Sequence, residues 1–219
     1  MKKHTLLSDI AVFLLIIFLF IVPPFFTRAV SVSGFLFKGW AFPWYQFLLA
    51  FIAAALLFFY YQKNEGAVSV WSRLNVFPVL FTFGMLFSVS LFCHFLAGVS
   101  GISADTINVV KPEGMLQWSF CLLYFLSAAF YEEVLYRFYF TDQLYILITK
   151  KKIWRGSLIL CEALGLLVFA FAHLYMGWIS VLNAALAHVV LRLCYKKSCR
   201  LWPCVAAHFI YNVISLILL

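Results

Sequence analysis

The chain has 219 residues, of which 66% are hydrophobic, 20% aromatic and only 11% charged, with a mean hydropathy of +1.02. Those values exclude an ordinary water-soluble domain. The formal net charge of +8 would suggest nucleic acid in a soluble chain, but here the basic residues stand between apolar runs, which removes that partner and makes them topology signals.

The first residues, MKKHTLLSDIAVFLLIIFLF, have the basic-then-apolar form of a secretory signal, with AVS following at Ala29. The apolar run is longer than such signals carry, so a retained first span is expected. Uncharged runs then separate Lys38 from Lys63, Arg73 from Asp105, Glu113 from Glu132 and Glu162 from Arg192, and a last one follows Arg200. Most can supply the roughly 20 helical residues that cross about 30 Å of hydrocarbon. The run after Glu162 divides at YMGW, residues 175–178, which gives seven predicted spans. Its two halves, within 163–191, are short for two crossings, so that hairpin is expected to be tilted, thin or partly re-entrant. The stretch TDQLYILITKKKIWRGS, 141–157, reads as an interfacial amphipathic helix. The predicted fold is therefore all-α: a polytopic transmembrane helical bundle of about seven spans plus an interfacial helix.

With the N-terminus inside, the inner side collects Lys2, Lys3, Lys63, Arg73, Lys150, Lys151, Lys152, Arg155, Arg192, Lys196, Lys197 and Arg200, against Arg28, Lys38 and Lys111 outside. Arg137 is set aside. The bias predicts a multi-pass protein of the cell (plasma) membrane with a cytoplasmic N-terminus. Six cysteines (Cys93, Cys121, Cys161, Cys194, Cys199, Cys204) are scattered without a CxxC pair, so neither a disulfide framework nor a zinc knuckle is indicated, and packing roles are expected. Internal repeats, low-complexity tracts and Gly-rich phosphate loops are absent from the sequence.

An ionised side chain near the bilayer centre costs at least about 2.5 kcal/mol on insertion scales, so those that persist face the bundle interior and have a task. The stretch YEEVLYR, 131–137, ends an uncharged run with three of them. At about 100° per residue, Glu133 and Arg137 share a face and can pair, whereas Glu132 points away toward another helix. One carboxylate neutralises the arginine and the other is available as a general base. An interfacial anchor fits this cluster equally well.

FAFAH, 169–173, places His173 at the end of an apolar helix, and HFIYN, 208–212, places His208 and Asn212 four apart on one face. Singly, such residues serve more often as interhelical hydrogen-bonding groups, which is the expectation for His94, His188 and Asn183, while His4 belongs to the tail. Glu132 lies ten residues before Asp142, His173 eleven after Glu162 and His208 eight after Arg200. If those polar residues mark the inner surface, the three lie at a common depth of roughly 12–17 Å.

The ordered set EExxxR in EEVLYR, FxxxH in FAFAH and HxxxN in HFIYN resembles the CPBP family, the CAAX proteases, bacteriocin-processing enzymes and Abi proteins. The approach CYKKSCRLWPCVAAHFIYN also looks like that family's entry to its last motif, and the likeness covers about 116–215. It implies N-terminal spans over 1–115 and a catalytic helical core over 116–219, in one integrated membrane domain. At His188 many relatives would carry a small residue.

The resemblance implies an intramembrane endopeptidase that cleaves a peptide or protein with a hydrophobic or lipidated segment. Glu132 and His173 would activate the attacking water, His208 and Asn212 would hold the oxyanion, and Glu133 and Arg137 would orient them. Neither Ser127 nor Cys204 has a spacing that suggests a nucleophile. Glu132, His173 and His208 could instead hold a divalent metal such as zinc, but HExxH is absent and an amide one turn after His208 suits an oxyanion, so no cofactor is expected. Two other classes compete: a non-enzymatic membrane scaffold or immunity protein, and an ion- or proton-coupled transporter. The second would spread its ionisable residues over several depths.

Overall fold

A computed structural model describes residues 6–26, 40–61, 76–101, 111–150 and 154–218. The tail with His4, the AVS sequence, and the charges Arg28, Lys38, Lys63, Arg73, Asp105, Lys151 and Lys152 lie outside the described residues.

Among the described residues the secondary structure is helical throughout, with no strand. In lipid no water is available to the backbone, so an apolar run must satisfy its own N–H and C=O groups, and the helix does so. The elements are α1 (Leu6–Ile16), a π-helical turn (Ile17–Ile21), α2 (Pro23–Phe26), α3 (Trp44–Tyr61), α4 (Phe77–Ser100), α5 (Gly114–Glu132), a π-helical segment (Glu133–Phe140), α6 (Thr141–Thr149), α7 (Ser157–Phe171), a 3-10 turn (Leu174–Met176), α8 (Trp178–Ser198) and α9 (Trp202–Leu218). Four stretches are long and apolar enough to cross a membrane: Leu6–Phe26, Phe77–Ser100, Gly114–Thr149 and Trp178–Ser198. Three shorter apolar helices, α3, α7 and α9, complete a set in line with about seven spans.

The outer faces carry large apolar side chains. Phe51, Phe81, Phe95 and Val99 are each exposed, a pattern that would be an aggregation hazard in water and is ordinary against lipid tails. The interior holds two clusters. One gathers Phe13 and Ile16 of α1, Ala53 and Leu56 of α3, Phe169 of α7 and Ala184 of α8 around Val134, Leu135, Tyr136, Phe138, Tyr139 and Phe140 of the π-helical segment. The other joins Val79 and Leu86 of α4 to Leu191 of α8 and Cys204 and Ala207 of α9. The first helix is thus packed as part of the bundle, and a Lys150–Asp9 ion pair at 2.6 Å ties it to α6.

Of the stretch 141–157, expected as an interfacial helix, residues 141–149 form α6, while 151–153 lie outside the described residues. Helical structure passes from α5 through the π-helical segment into α6 without a break, and α6 packs on α7 and α1. Its Asp142 turns toward Arg192 of α8.

The hairpin of α7 and α8 forms where YMGW predicted a turn. Gly177 has φ 90°, a left-handed conformation that a residue with a Cβ resists, and α8 starts at the next residue. At 15 residues α7 spans about 22 Å, less than a full hydrocarbon layer, in keeping with a short or tilted arm. It lies close against the start of α6, because a Cβ on Gly165 would come within 2.5 Å of Thr141 Oγ1. All six cysteines are free thiols, and Cys93, Cys121, Cys161 and Cys204 are buried as packing residues.

Candidate active site

Glu132 is the last residue of α5 and Glu133 the first of the π-helical segment, all eight residues of which are buried. Such widened turns recur at functional sites. Glu133 and Arg137 are both fully buried, and Arg137 Nε lies 3.3 Å from Glu133 Oε2, the ion pair expected from the four-residue spacing. The contact is Coulombic: its alignment is not that of a hydrogen bond, and no guanidinium nitrogen of Arg137 has a hydrogen-bond acceptor among the described residues. The cation instead rests on the face of Phe169, with Cζ 4.0 Å from the ring centroid.

Glu133 has a second partner. His208 Nδ1 donates to Glu133 Oε1 at 2.9 Å, reaching from α9 to the acidic helix. The carboxylate therefore bridges a guanidinium and an imidazole, and its burial is offset from both sides. With Nδ1–H directed at Glu133, the other ring nitrogen, Nε2, faces Glu132, whose Oε2 is 4.0 Å away. Glu132 is partly exposed, its side chain retaining 26% accessibility, while Glu133 retains none. One acid is sealed in as a support; the other faces an accessible space.

His173 lies in the turn just after α7. Its Nδ1 donates to the Phe169 carbonyl at 2.9 Å, and because a carbonyl only accepts, the neutral ring presents Nε2 as a free acceptor. Phe169 is the common neighbour: its ring centroid is 4.8 Å from His173, 5.5 Å from His188 and 5.1 Å from Tyr136, in addition to the guanidinium of Arg137. The motif FxxxH thus contributes both its ends to the site. Its phenylalanine was quoted in the sequence but had no assigned role, since stacking under a cation leaves no mark in spacing. Asn212 is partly buried on α9, one turn after His208.

The remaining polar residues divide. Asn183 Nδ2 donates to Tyr211 Oη at 3.2 Å, an α8–α9 hydrogen bond of the expected kind. His94 is exposed on α4. His188 does not meet its expectation: only 2% exposed, it has no hydrogen-bond partner on either ring nitrogen among the described residues, and it is held by ring packing on Phe169. Arg192, counted above as an inner-surface charge, is not solvated. It is 6% exposed and inserted among α6, α7 and α8, where Asp142 and Glu162 neutralise it. Cys204 Sγ donates to the Leu191 carbonyl at 3.5 Å, and Ser127 is buried, so neither is presented as a nucleophile.

Among the described residues no group of three or more His, Cys, Asp and Glu side chains lies close enough to hold a metal ion.

Residues 114–214 match a family described as type II CAAX prenyl endopeptidase Rce1-like. This stretch is similar to the Rce1-like endopeptidase domain. No curated protein and no solved structure matches the chain. The matched stretch begins at the first residue of α5 and ends within α9, so it contains every residue of the three motifs and is consistent with a CPBP-family protease. An intramembrane endopeptidase, acting on a peptide within a lipid bilayer, is the activity that this family supports in general.

Proposed function

We propose that the chain is a CAAX-protease-like endopeptidase that hydrolyses a peptide bond with a water activated by Glu132 and His173. The observation that carries the reading is the arrangement of the two acids about His208. Glu133 holds Nδ1 at 2.9 Å, while Glu132, the accessible acid, lies 4.0 Å from Nε2.

Glu132 takes a proton from the water as its oxygen bonds to the scissile carbonyl carbon, and His173, an acceptor at Nε2, orients that water. The carbonyl oxygen becomes an oxyanion. Asn212 donates to it through its side-chain amide, and His208, oriented by Glu133 at Nδ1, donates through Nε2 when that nitrogen carries a proton. Collapse of the intermediate breaks the C–N bond, and the proton on Glu132 passes to the leaving nitrogen. Arg137 supplies the counter-charge beside Glu133.

The substrate is a peptide or protein with a hydrophobic or lipidated segment, and the likeness to prenyl endopeptidases favours a prenylated C-terminus. The bilayer is the cell membrane with the N-terminus cytoplasmic, the side that the basic residues favour by twelve to three with Arg137 set aside.

The test uses the full chain in proteoliposomes with a fluorogenic peptide ending in a prenylated cysteine motif, and with the same peptide unprenylated. Cleavage by the wild type and none by Glu132→Gln or His173→Ala supports the reading; wild-type rates in Glu132→Gln overturn the role of that residue. Retention of activity after chelation supports the metal-free route, and loss restored by a divalent metal overturns it.

A further inference from the structure

Beside the three motifs lies a second polar cluster, centred on Arg192 of α8. Its Nε donates to Glu162 Oε2 and its Nη2 to Glu162 Oε1, both at 2.9 Å, a two-point fork onto α7. Nη2 also donates to Asp142 Oδ1 at 2.7 Å, in the first turn of α6. Nη1 donates to the backbone carbonyl of Arg137, inside the π-helical segment. The preceding carbonyl, that of Tyr136, accepts from Thr141 Oγ1 at 3.2 Å. Two successive carbonyls of the segment are thus held by side chains.

We propose that Arg192 is a positioning residue of the same site: held by Glu162 and Asp142, its guanidinium fixes the π-helical segment through the Arg137 carbonyl and thereby sets Glu133 against His208. The proposal rests on the protease reading only for its kinetic consequence.

The argument follows the contacts. Arg192 touches the backbone of the residue whose own guanidinium pairs with Glu133, and Glu133 Oε1 accepts from His208 Nδ1. Rotation of the segment about its axis would move Glu133 from Nδ1 and Glu132 from Nε2 together. The same guanidinium grips α7, which ends two residues before His173, so one side chain ties the acid-bearing helix to the arm that carries the other histidine. Displacements of about 1 Å at reacting groups cost about 100-fold in rate, so such a tie matters to turnover before it matters to folding.

Charge alone would not do this. Lys196 also reaches Glu162, at 2.7 Å, so the two acids Asp142 and Glu162 face two cations. Lysine at 192 would preserve that balance but is a point donor that lacks the planar fork, and cannot hold Glu162 at two points, Asp142 and a carbonyl at once. Arg192→Lys therefore separates geometry from charge.

The experiment compares the wild type, Arg192→Lys and Asp142→Asn as full chains in nanodiscs, with the ring nitrogens of ¹⁵N-labelled histidines observed by NMR and His208 assigned by substitution. Arg192→Lys should shift the His208 Nδ1–H signal and lower kcat about 10- to 100-fold, with KM changed less than twofold. In a Glu133→Gln background the same substitution should lower kcat no further, because its route is already cut. An unmoved His208 signal, or an equal loss of kcat with and without Glu133, overturns the proposal. Should Arg192→Lys fail to fold, Asp142→Asn, which leaves the fork to Glu162, must give a smaller shift of His208 in place of it, and none overturns the proposal. A wild type that cleaves no peptide refutes the protease reading, while the His208 signal still decides the role of Arg192.

Discussion

His208 Nδ1 lies 2.9 Å from Glu133 Oε1, so the second acid of the EE pair holds the histidine while the first is left facing its other nitrogen. Two adjacent carboxylates thereby acquire different surroundings: Glu133 is enclosed between Arg137 and His208, and Glu132 keeps a quarter of its side-chain surface.

Glu133→Gln should lower stability and turnover together. The substitution leaves Arg137 buried without its counter-charge, a defect that costs about 3–5 kcal/mol, and weakens the acceptor for His208 Nδ1. Thermal unfolding in detergent, followed by intrinsic fluorescence, would show a clear fall in Tm.

Glu132→Gln should separate the two properties. Its side chain is partly exposed and its nearest charged neighbour is at 4.0 Å, so unfolding should change by less than about 1 kcal/mol. Loss of a general base lowers the rate by about 10²–10⁴-fold. Peptide cleavage assayed beside a melting curve checks both, and a parallel fall in the two would assign Glu132 a structural role.

At Phe169, leucine keeps the apolar volume but removes the face beneath Arg137. A desolvated cation–π contact is worth about 2 kcal/mol or more, and the His173 ring, 4.8 Å away, loses a wall. Phe169→Leu should reduce both Tm and kcat, whereas Phe169→Tyr, which retains the face, should weaken turnover less. The comparison of the two variants is the measurement.

A valine at Gly165 should separate α7 from α6. The added Cβ would stand 2.5 Å from Thr141 Oγ1, which is itself occupied with the Tyr136 carbonyl and has little room to move. Overpacking of this kind costs about 1–3 kcal/mol. Resistance to limited proteolysis in micelles should drop, and restoring space with Thr141→Ala in the same chain should recover part of it.

Asn212→Ala removes one proposed oxyanion donor. Donors of that class contribute about 2.7–4 kcal/mol to the transition state, so kcat should fall about 10²–10³-fold with KM nearly constant. Steady-state kinetics on the prenylated peptide would decide; a rise in KM at constant kcat would place Asn212 in substrate binding instead.

Much of this molecule can be read from the order of its residues. Long uncharged runs dictate helices, because a backbone in hydrocarbon has no other way to satisfy its polar groups, and YMGW marks its turn through a glycine at φ 90°. The i, i+4 spacing of Glu133 and Arg137 likewise fixes their pairing, since neighbours on one helical face meet whatever the rest of the chain does. Partnerships between helices are not local in this sense. That His208 selects Glu133 for its hydrogen bond, that Phe169 lies under Arg137, that His188 is packed without a hydrogen bond, and that Arg192 turns inward to Asp142 and Glu162 all depend on how separate helices are rotated against each other. A charge count treats Arg192 as punctuation because it registers sign and position along the chain, whereas burial follows from the acids that distant segments bring to it.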